Sequence, residues 1–115
     1  MGAQSTNAGT GLQGRRRVAL TFDDACLSHL TQVVPVLERH GFGATFYVCR
    51  FGEEWREKNA PFQLSAAQVK EIHDRGFRIG NHTWSHGDFA ALSPEAAAAE
   101  VVRLNGWLAE AGIAA

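Results

Sequence analysis

The sequence lacks a long apolar run, since the hydrophobic segments after the triplet Arg15-Arg16-Arg17 are too short for a signal-peptide core or a membrane span. It has little cysteine, and the two residues Cys26 and Cys49 are too few for a disulfide framework, so we expect free thiols without a redox role. Neither sign of charge dominates: 11 Lys and Arg face 12 Asp and Glu, for a net charge of −1. We therefore expect no membrane span, no nucleic-acid partner and, by default, a cytoplasmic location.

Two polar motifs stand out, each at the end of a short apolar segment. Thr21-Phe22-Asp23-Asp24 closes the segment Val18–Phe22, and Asn81-His82-Thr83-Trp84-Ser85-His86 closes the segment Phe77–Asn81. The pattern predicts a strand in each segment. Ligands of parallel α/β folds collect beyond the carboxyl ends of strands, so we expect both motifs at one edge of a sheet.

The residue types in these motifs are those of a catalytic metal site. One carboxylate of the adjacent acid pair can bind a cation, while the other takes a proton from a cation-bound water. Two histidines spaced i, i+4 can supply nitrogens, and three protein ligands with one open position are typical of catalytic zinc. Either motif alone has a plainer explanation, a helix cap or a chance spacing. Their shared position favours a hydrolytic site.

Four segments resemble those of the polysaccharide deacetylase domain, also called the NodB homology domain or carbohydrate esterase family 4. They are Thr21–Asp24, Gly43–Val48, Gly80–His86 and Leu92–Glu95, in the family's order and approximate spacing. The resemblance implies an α/β fold, namely the N-terminal portion of a distorted (β/α) barrel of the NodB, glycoside hydrolase-deacetylase type. We accordingly predict a disordered polar leader at residues 1–16 and a partial deacetylase domain at residues 17–115.

The resemblance also implies roles for individual residues. Asp23 corresponds to the general base, Asp24, His82 and His86 to the metal ligands, and Thr83 and Ser85 to supporting residues. The implied activity is metal-dependent hydrolysis of acetyl groups, through amide and also ester bonds, on carbohydrate such as N-acetylglucosamine polymers. Some relatives act on small amides instead, and many work at the cell envelope. Zinc suits one carboxylate and two imidazoles, and cobalt and nickel tolerate the same donors.

Aromatic and histidine residues near the motifs have open interpretations. Trp55 lies in a segment, Arg50–Gln63, whose composition predicts a loop. It serves either as a platform that stacks on a sugar ring or as an anchor of that loop. Trp84 is either a wall of the pocket or a core contact. Three further histidines have no partner motif, so surface or capping positions are expected for His29, His40 and His73.

The remaining signals predict the scaffold. We expect a first helix over Thr31–His40 and a strand over Ala44–Cys49. Ser65 as N-cap with Gln68 three residues later forms a capping box for a second helix, and a third helix begins at Ser93. The buried side of the third helix is predicted to carry Ala97, Val101, Leu104 and Leu108.

The chain departs from the family in two respects. Ala25 stands where many members have glycine after the acid pair, and a Cβ there restricts the backbone. The family's later motifs, which include a histidine general acid, are expected beyond Ala115. A (β/α) barrel needs on the order of 200 residues, so we expect a truncated reading frame. A shorter α/β fold and a dimer that completes the sheet are the structural alternatives, and a non-catalytic metal- or carbohydrate-binding remnant is the functional one.

Overall fold

The computed structural model describes residues 16–115, so the predicted leader lies outside the described residues except for Arg16. Three short parallel strands form one sheet in the order β1 (Thr21–Asp23), β2 (Thr45–Val48) and β3 (Arg78–Asn81). The parallel strands predicted for the three apolar segments are therefore present. β1 starts later than predicted, because only Thr21–Asp23 finds a partner on β2, whereas Val18 is 78% exposed.

The first helix, α1, begins two residues earlier than predicted. It opens with a π-helical turn over His29–Val33 and continues as an α-helix over Val34–His40. In the π turn the backbone N–H of Val34 donates to the carbonyl of His29, five residues back. Gly41 ends the helix in the left-handed conformation, with φ 72°.

The segment predicted as a loop contains a helix, so that prediction was wrong. Helix α2 spans Glu53–Asn59, and a 3-10 turn follows over Ala60–Phe62. Acidic residues occupy the first turn of α2 and basic residues the last, and Glu54 pairs with Lys58 at 3.3 Å. These charges complement the helix dipole and stabilise a short helix. The Gly, Asn and Pro residues that indicated a loop lie at the ends of the helix and in the 3-10 turn.

The two later helices follow their capping signals closely. Helix α3 spans Ala66–Asp74, and both bonds of the Ser65–Gln68 capping box are present, at 3.2 and 2.8 Å. Helix α4 spans Pro94–Glu110 after the N-cap Ser93. Its predicted inner side is buried at Leu104 and Leu108 and partly buried at Ala97 and Val101. No helix among residues 16–115 has both the length and the hydropathy of a membrane span.

The core lies between the sheet and its helices and is centred on Phe46 of β2. Phe46 is fully buried, stacks on Phe22 at 5.2 Å between ring centroids, and meets the edge of Phe77 at 5.7 Å. The helices contribute aliphatic side chains to the same cluster, namely Val34, Leu37, Val69, Ile72, Leu104 and Leu108. This packing fixes the strands relative to one another and so fixes the residues at their carboxyl ends.

His29 is buried beneath the carboxyl end of β1, so the surface or capping position expected for it was wrong. Only 8% of the residue is exposed, and its ring packs against Phe22 at 5.7 Å and Phe46 at 5.5 Å. Burial lowers the pKa of His29 from its ordinary value of 6.5, and the nearby Asp24 and Asp23 carboxylates offset part of that effect. The side chain therefore serves as an aromatic member of the core.

Candidate metal centre

The turns after β1 and β3 bring three predicted ligands together. Asp24 Oδ1 lies 3.3 Å from His82 Nε2 and 3.1 Å from His86 Nε2, and the three ligand atoms all lie within 4.8 Å of one another. Zinc bonds to nitrogen and oxygen of about 2.0–2.1 Å place neighbouring tetrahedral ligands roughly 3.3 Å apart. The aspartate-to-histidine separations match that spacing, so these residues fit a small divalent cation.

The local electrostatics favour a cation at this triad. Asp24 Oδ1 is buried and has no hydrogen-bond partner among the described residues, although two imidazole nitrogens face it. A buried carboxylate oxygen without a donor is costly unless a positive charge compensates it. The three side chains remain 33–43% exposed, so the triad is open to solvent on one side. An open side is what an exchangeable coordination position requires.

The backbone is strained around the triad. Among the described residues, those other than glycine with positive φ all lie just after a strand or in the loop that follows β3. They are Asp24 (83°), Ala25 (56°), Phe51 (62°), Thr83 (75°) and His86 (61°). The left-handed region costs an L-residue roughly 1–2 kcal/mol, and such strain clusters at functional sites. Ala25 adopts this conformation with its methyl group buried.

Hydrogen bonds hold the strained turn of Asp24 and the loop of residues 82–86 that follows β3, which we call the histidine loop. Asp24 donates its N–H to the carbonyl of Tyr47 at 3.0 Å and accepts from Gln63 Nε2 through its own carbonyl at 3.3 Å. In the histidine loop, Asn81 Oδ1 accepts from the backbone N–H of Thr83 at 2.8 Å. Thr83 Oγ1 then accepts from the N–H of His86 at 3.1 Å. The loop thus has its own internal bonds before any ligand binds.

Glu100 of α4 holds the histidine loop from outside. Its Oε1 accepts from the backbone N–H of Ser85 at 2.8 Å and from Ser85 Oγ at 2.9 Å. Sequence analysis missed this residue, although a signal existed. Glu100 falls three residues after Ala97 and four before Leu104, so the helical repeat places a carboxylate beside the buried side of α4. A charged residue at such a position needs a donor, and Ser85 supplies two.

The predicted base, Asp23, directly precedes the predicted ligand Asp24 in the chain but is held less firmly. It is the last residue of β1, is exposed, and pairs in register with Tyr47. Among residues 16–115 its carboxylate has no hydrogen-bond or ion-pair partner. Its role as base stays a prediction.

The two predicted tryptophans occupy different places. Trp55 is 40% exposed on α2 and stacks on Phe51, with ring centroids 4.0 Å apart. Phe51 in turn stacks on His86 at 5.1 Å, so Trp55 is connected to the triad through one ring. Trp84 is partly buried, packs against the hydrophobic core and carries the Arg103 guanidinium 4.1 Å from its ring centroid. The core contact is therefore present, and a role as a wall of the pocket stays a prediction.

The two cysteines do not join the triad. Both are free thiols, and Cys49 is buried. Burial, followed by the nearby Asp24 carboxylate, raises the pKa of Cys49 to about 12. The cluster of potential metal ligands among the described residues consists of Asp24, His82 and His86 and includes neither thiol.

Comparison with known proteins agrees with the fold. The family model described as polysaccharide deacetylase matches residues 11–113. The chain is 30% identical to a chitin deacetylase of Pestalotiopsis sp. over 87 residues. The aligned residues make up 76% of this chain and 27% of that protein. The Bc1960 peptidoglycan N-acetylglucosamine deacetylase superposes with a TM-score of 0.66 at 31% identity, over 84% of this chain and 42% of that one. The Streptococcus pyogenes deacetylase PplD superposes with a TM-score of 0.69 at 25% identity, and the match covers 91% of this chain and 47% of that one. This chain thus spans about a quarter of that chitin deacetylase and less than half of each structure.

Proposed function

Because the chain belongs to the polysaccharide deacetylase family, we propose that it carries the metal ligands and the base of a carbohydrate deacetylase. The proposed reaction adds water to an N-acetyl group and releases acetate and a free amine. Relatives of this chain are named for chitin and for peptidoglycan N-acetylglucosamine, and we propose a polymer of N-acetylated amino sugar as its substrate class.

One observation carries the proposal: an unpartnered, buried carboxylate oxygen faces two imidazole nitrogens at 3.3 and 3.1 Å. Asp24, His82 and His86 would hold a divalent cation there, with zinc as the first choice and cobalt or nickel as alternatives. Such a cation would supply Lewis-acid chemistry by lowering the pKa of a water and polarising the acetyl carbonyl. The open side of the triad leaves room for the acetyl group to approach.

The chain's own groups would then position the substrate and move a proton. Asp23 would take the proton of the attacking water, because it is exposed, directly precedes the ligand Asp24 and has no other partner in the part of the chain described. Trp55 would offer the exposed part of its ring to the apolar side of a pyranose ring. The ring of Phe51 stacks on Trp55 and so supports it. Thr83 and Ser85 would support the histidine loop through the bonds described above.

Two substitutions separate binding from chemistry. Asp24→Asn should abolish tight binding of Zn²⁺ or Co²⁺ measured by calorimetry, because it removes the anionic ligand. Asp23→Asn should leave the metal affinity nearly unchanged and lower acetate release from an acetylated chito-oligosaccharide by about a hundred- to ten-thousand-fold, the usual contribution of a general base. Asp88→Asn is the matched control, because Asp88 is an exposed acid that caps the turn at Phe89 and an amide oxygen can keep that bond.

The outcomes distinguish the candidate functions. Tight metal binding by Asp24→Asn would refute the ligand assignment, and undiminished acetate release by Asp23→Asn would refute the base. Acetate release by the unsubstituted chain, however slow, would refute the non-catalytic binding function.

A further inference from the structure

We propose that Phe51 is a positioning residue for His86 and that Arg56 holds Phe51 in place. The inference rests on the proposed function only in that His86 serves as a metal ligand. It concerns Phe51, which lies between β2 and α2, and Arg56 of α2, and neither the motifs nor the resemblance pointed to these residues. Its consequence is that α2 supports the metal centre as well as presenting Trp55.

Three nearly parallel rings lead from α2 to the metal centre. Phe51 stacks on His86 with an interplanar angle of 18°, and Trp55 stacks on Phe51 with an angle of 24°. The imidazole of His86 turns its Nε2 towards Asp24 Oδ1 at 3.1 Å. A histidine half exposed to solvent can otherwise rotate about its side-chain bonds. The flat face of Phe51 restricts that rotation and so fixes the direction in which the nitrogen lone pair points.

The backbone of Phe51 is held in a conformation that its residue type disfavours. Its φ is 62°, in the left-handed region, where a bulky aromatic residue is an outlier. Arg56 Nη1 donates to the carbonyl of Phe51 at 2.9 Å and reaches that of Arg50 at 3.5 Å. The N–H of Arg50 donates to the carbonyl of Trp84 at 2.7 Å. The turn is therefore fastened to α2 on one side and to the histidine loop on the other.

The contacts of Phe51 point to the site rather than to the core. Among the described residues, Phe51 is neither a member of the buried hydrophobic cluster nor one of the partly buried residues packed against it. Its ring contacts are His86 and Trp55. A strained backbone that places a ring against a ligand, and not into the core, is stabilising the geometry of that ligand.

Cobalt binding by the 115-residue chain tests the proposal without any assay of activity. We expect Phe51→Ala and Phe51→Leu to weaken Co²⁺ binding by about 2- to 12-fold, the equivalent of one aromatic pair, and to change the visible absorption of the bound ion. Phe51→Tyr keeps the ring and should bind like the unsubstituted chain. Arg56→Met should weaken binding in the same direction, and its effect should not add fully to that of Phe51→Ala. Phe62→Ala removes a 70% exposed ring from the same segment and serves as the control.

The results separate this inference from the proposed function. If the unsubstituted chain binds Co²⁺ and the Phe51→Ala and Phe51→Leu variants match it in affinity and absorption, the positioning role is wrong while the metal centre stands. Variants that melt at a lower temperature, with unchanged Co²⁺ affinity and absorption, would give Phe51 a purely structural role and likewise overturn the inference. Failure of the unsubstituted chain to bind Co²⁺ would overturn the metal centre and this inference with it.

Discussion

Replacing Glu100 with alanine should loosen the histidine loop and weaken the metal centre without touching a ligand. Both bonds from Ser85 end on Glu100 Oε1, at 2.8 and 2.9 Å. A hydrogen bond to a charged group contributes about 1.5–3 kcal/mol, and water replaces part of that contribution at a partly buried site. We therefore expect the free energy of unfolding to fall by about 2 kcal/mol in urea titrations. Metal affinity should fall by about 10- to 100-fold, as is usual when a residue that orients the ligands is lost.

Glu100→Gln gives a graded test of the same contact. The amide keeps an oxygen at the Oε1 position, so the bonds from Ser85 can still form. Because charge-assisted bonds are roughly twice as strong as neutral ones, Glu100→Gln should lower stability by about half as much as Glu100→Ala. Ser85→Ala should cost stability in the unsubstituted chain and almost nothing in the Glu100→Ala background. Glu110→Ala, at the exposed end of the same helix, is the control. Additive effects of the Ser85 and Glu100 substitutions, or a Glu100→Ala variant indistinguishable from Glu110→Ala, would contradict the reasoning.

Three further predictions concern stability and are checked by urea unfolding. Gly106→Ala should stabilise the chain by up to about 1 kcal/mol, because nothing lies within 4 Å of an added Cβ in the middle of α4. Gly80→Ala should destabilise it by about 1–3 kcal/mol, because the new Cβ would overlap the ring of Tyr47, and a reversed order of these two glycine variants would refute the packing described. Glu38→Gln should cost about 0.5–1 kcal/mol at about pH 7, since Glu38 hydrogen-bonds Arg75 at a site about one-third exposed. The Arg75 hydrogen bond lowers the pKa of Glu38 below 4.5, so this stabilisation is full above that pH and is lost as the pH falls through the lowered pKa; a cost that persists in acid would contradict it.

The parts of the fold and site that followed from the sequence are those with local signals. The capping box at Ser65 and the N-cap at Ser93 placed two helices correctly, because the bonds that start a helix involve residues three apart. Two strands could be found from apolar segments that end in polar motifs. Since the carboxyl ends of parallel strands share an edge, Asp24 could be placed near His82 and His86 without any knowledge of the loops.

The parts that did not follow depend on contacts between distant segments. Helix α2 was missed because Gly, Asn and Pro predict a loop in the same way whether they lie inside a segment or at its ends. The burial of His29 depends on the rings of Phe22 and Phe46, which lie on two different strands. The positive φ of Phe51 has no signal in its residue type, and the ring it carries stacks on His86, which lies in the loop after β3.

Because of the order of the strands, we expect a cation to bind only when all three strands are assembled. Asp24 follows β1 and the histidines follow β3, and β2 lies between these two strands in the sheet of the described residues. A partly folded chain with a single strand pair would present either the carboxylate or the imidazoles, never both. A cation that binds the folded chain at about a hundredfold excess over its dissociation constant would add roughly 2.7 kcal/mol to folding. The ion would thus link β1 to β3 and make assembly of these strands more cooperative.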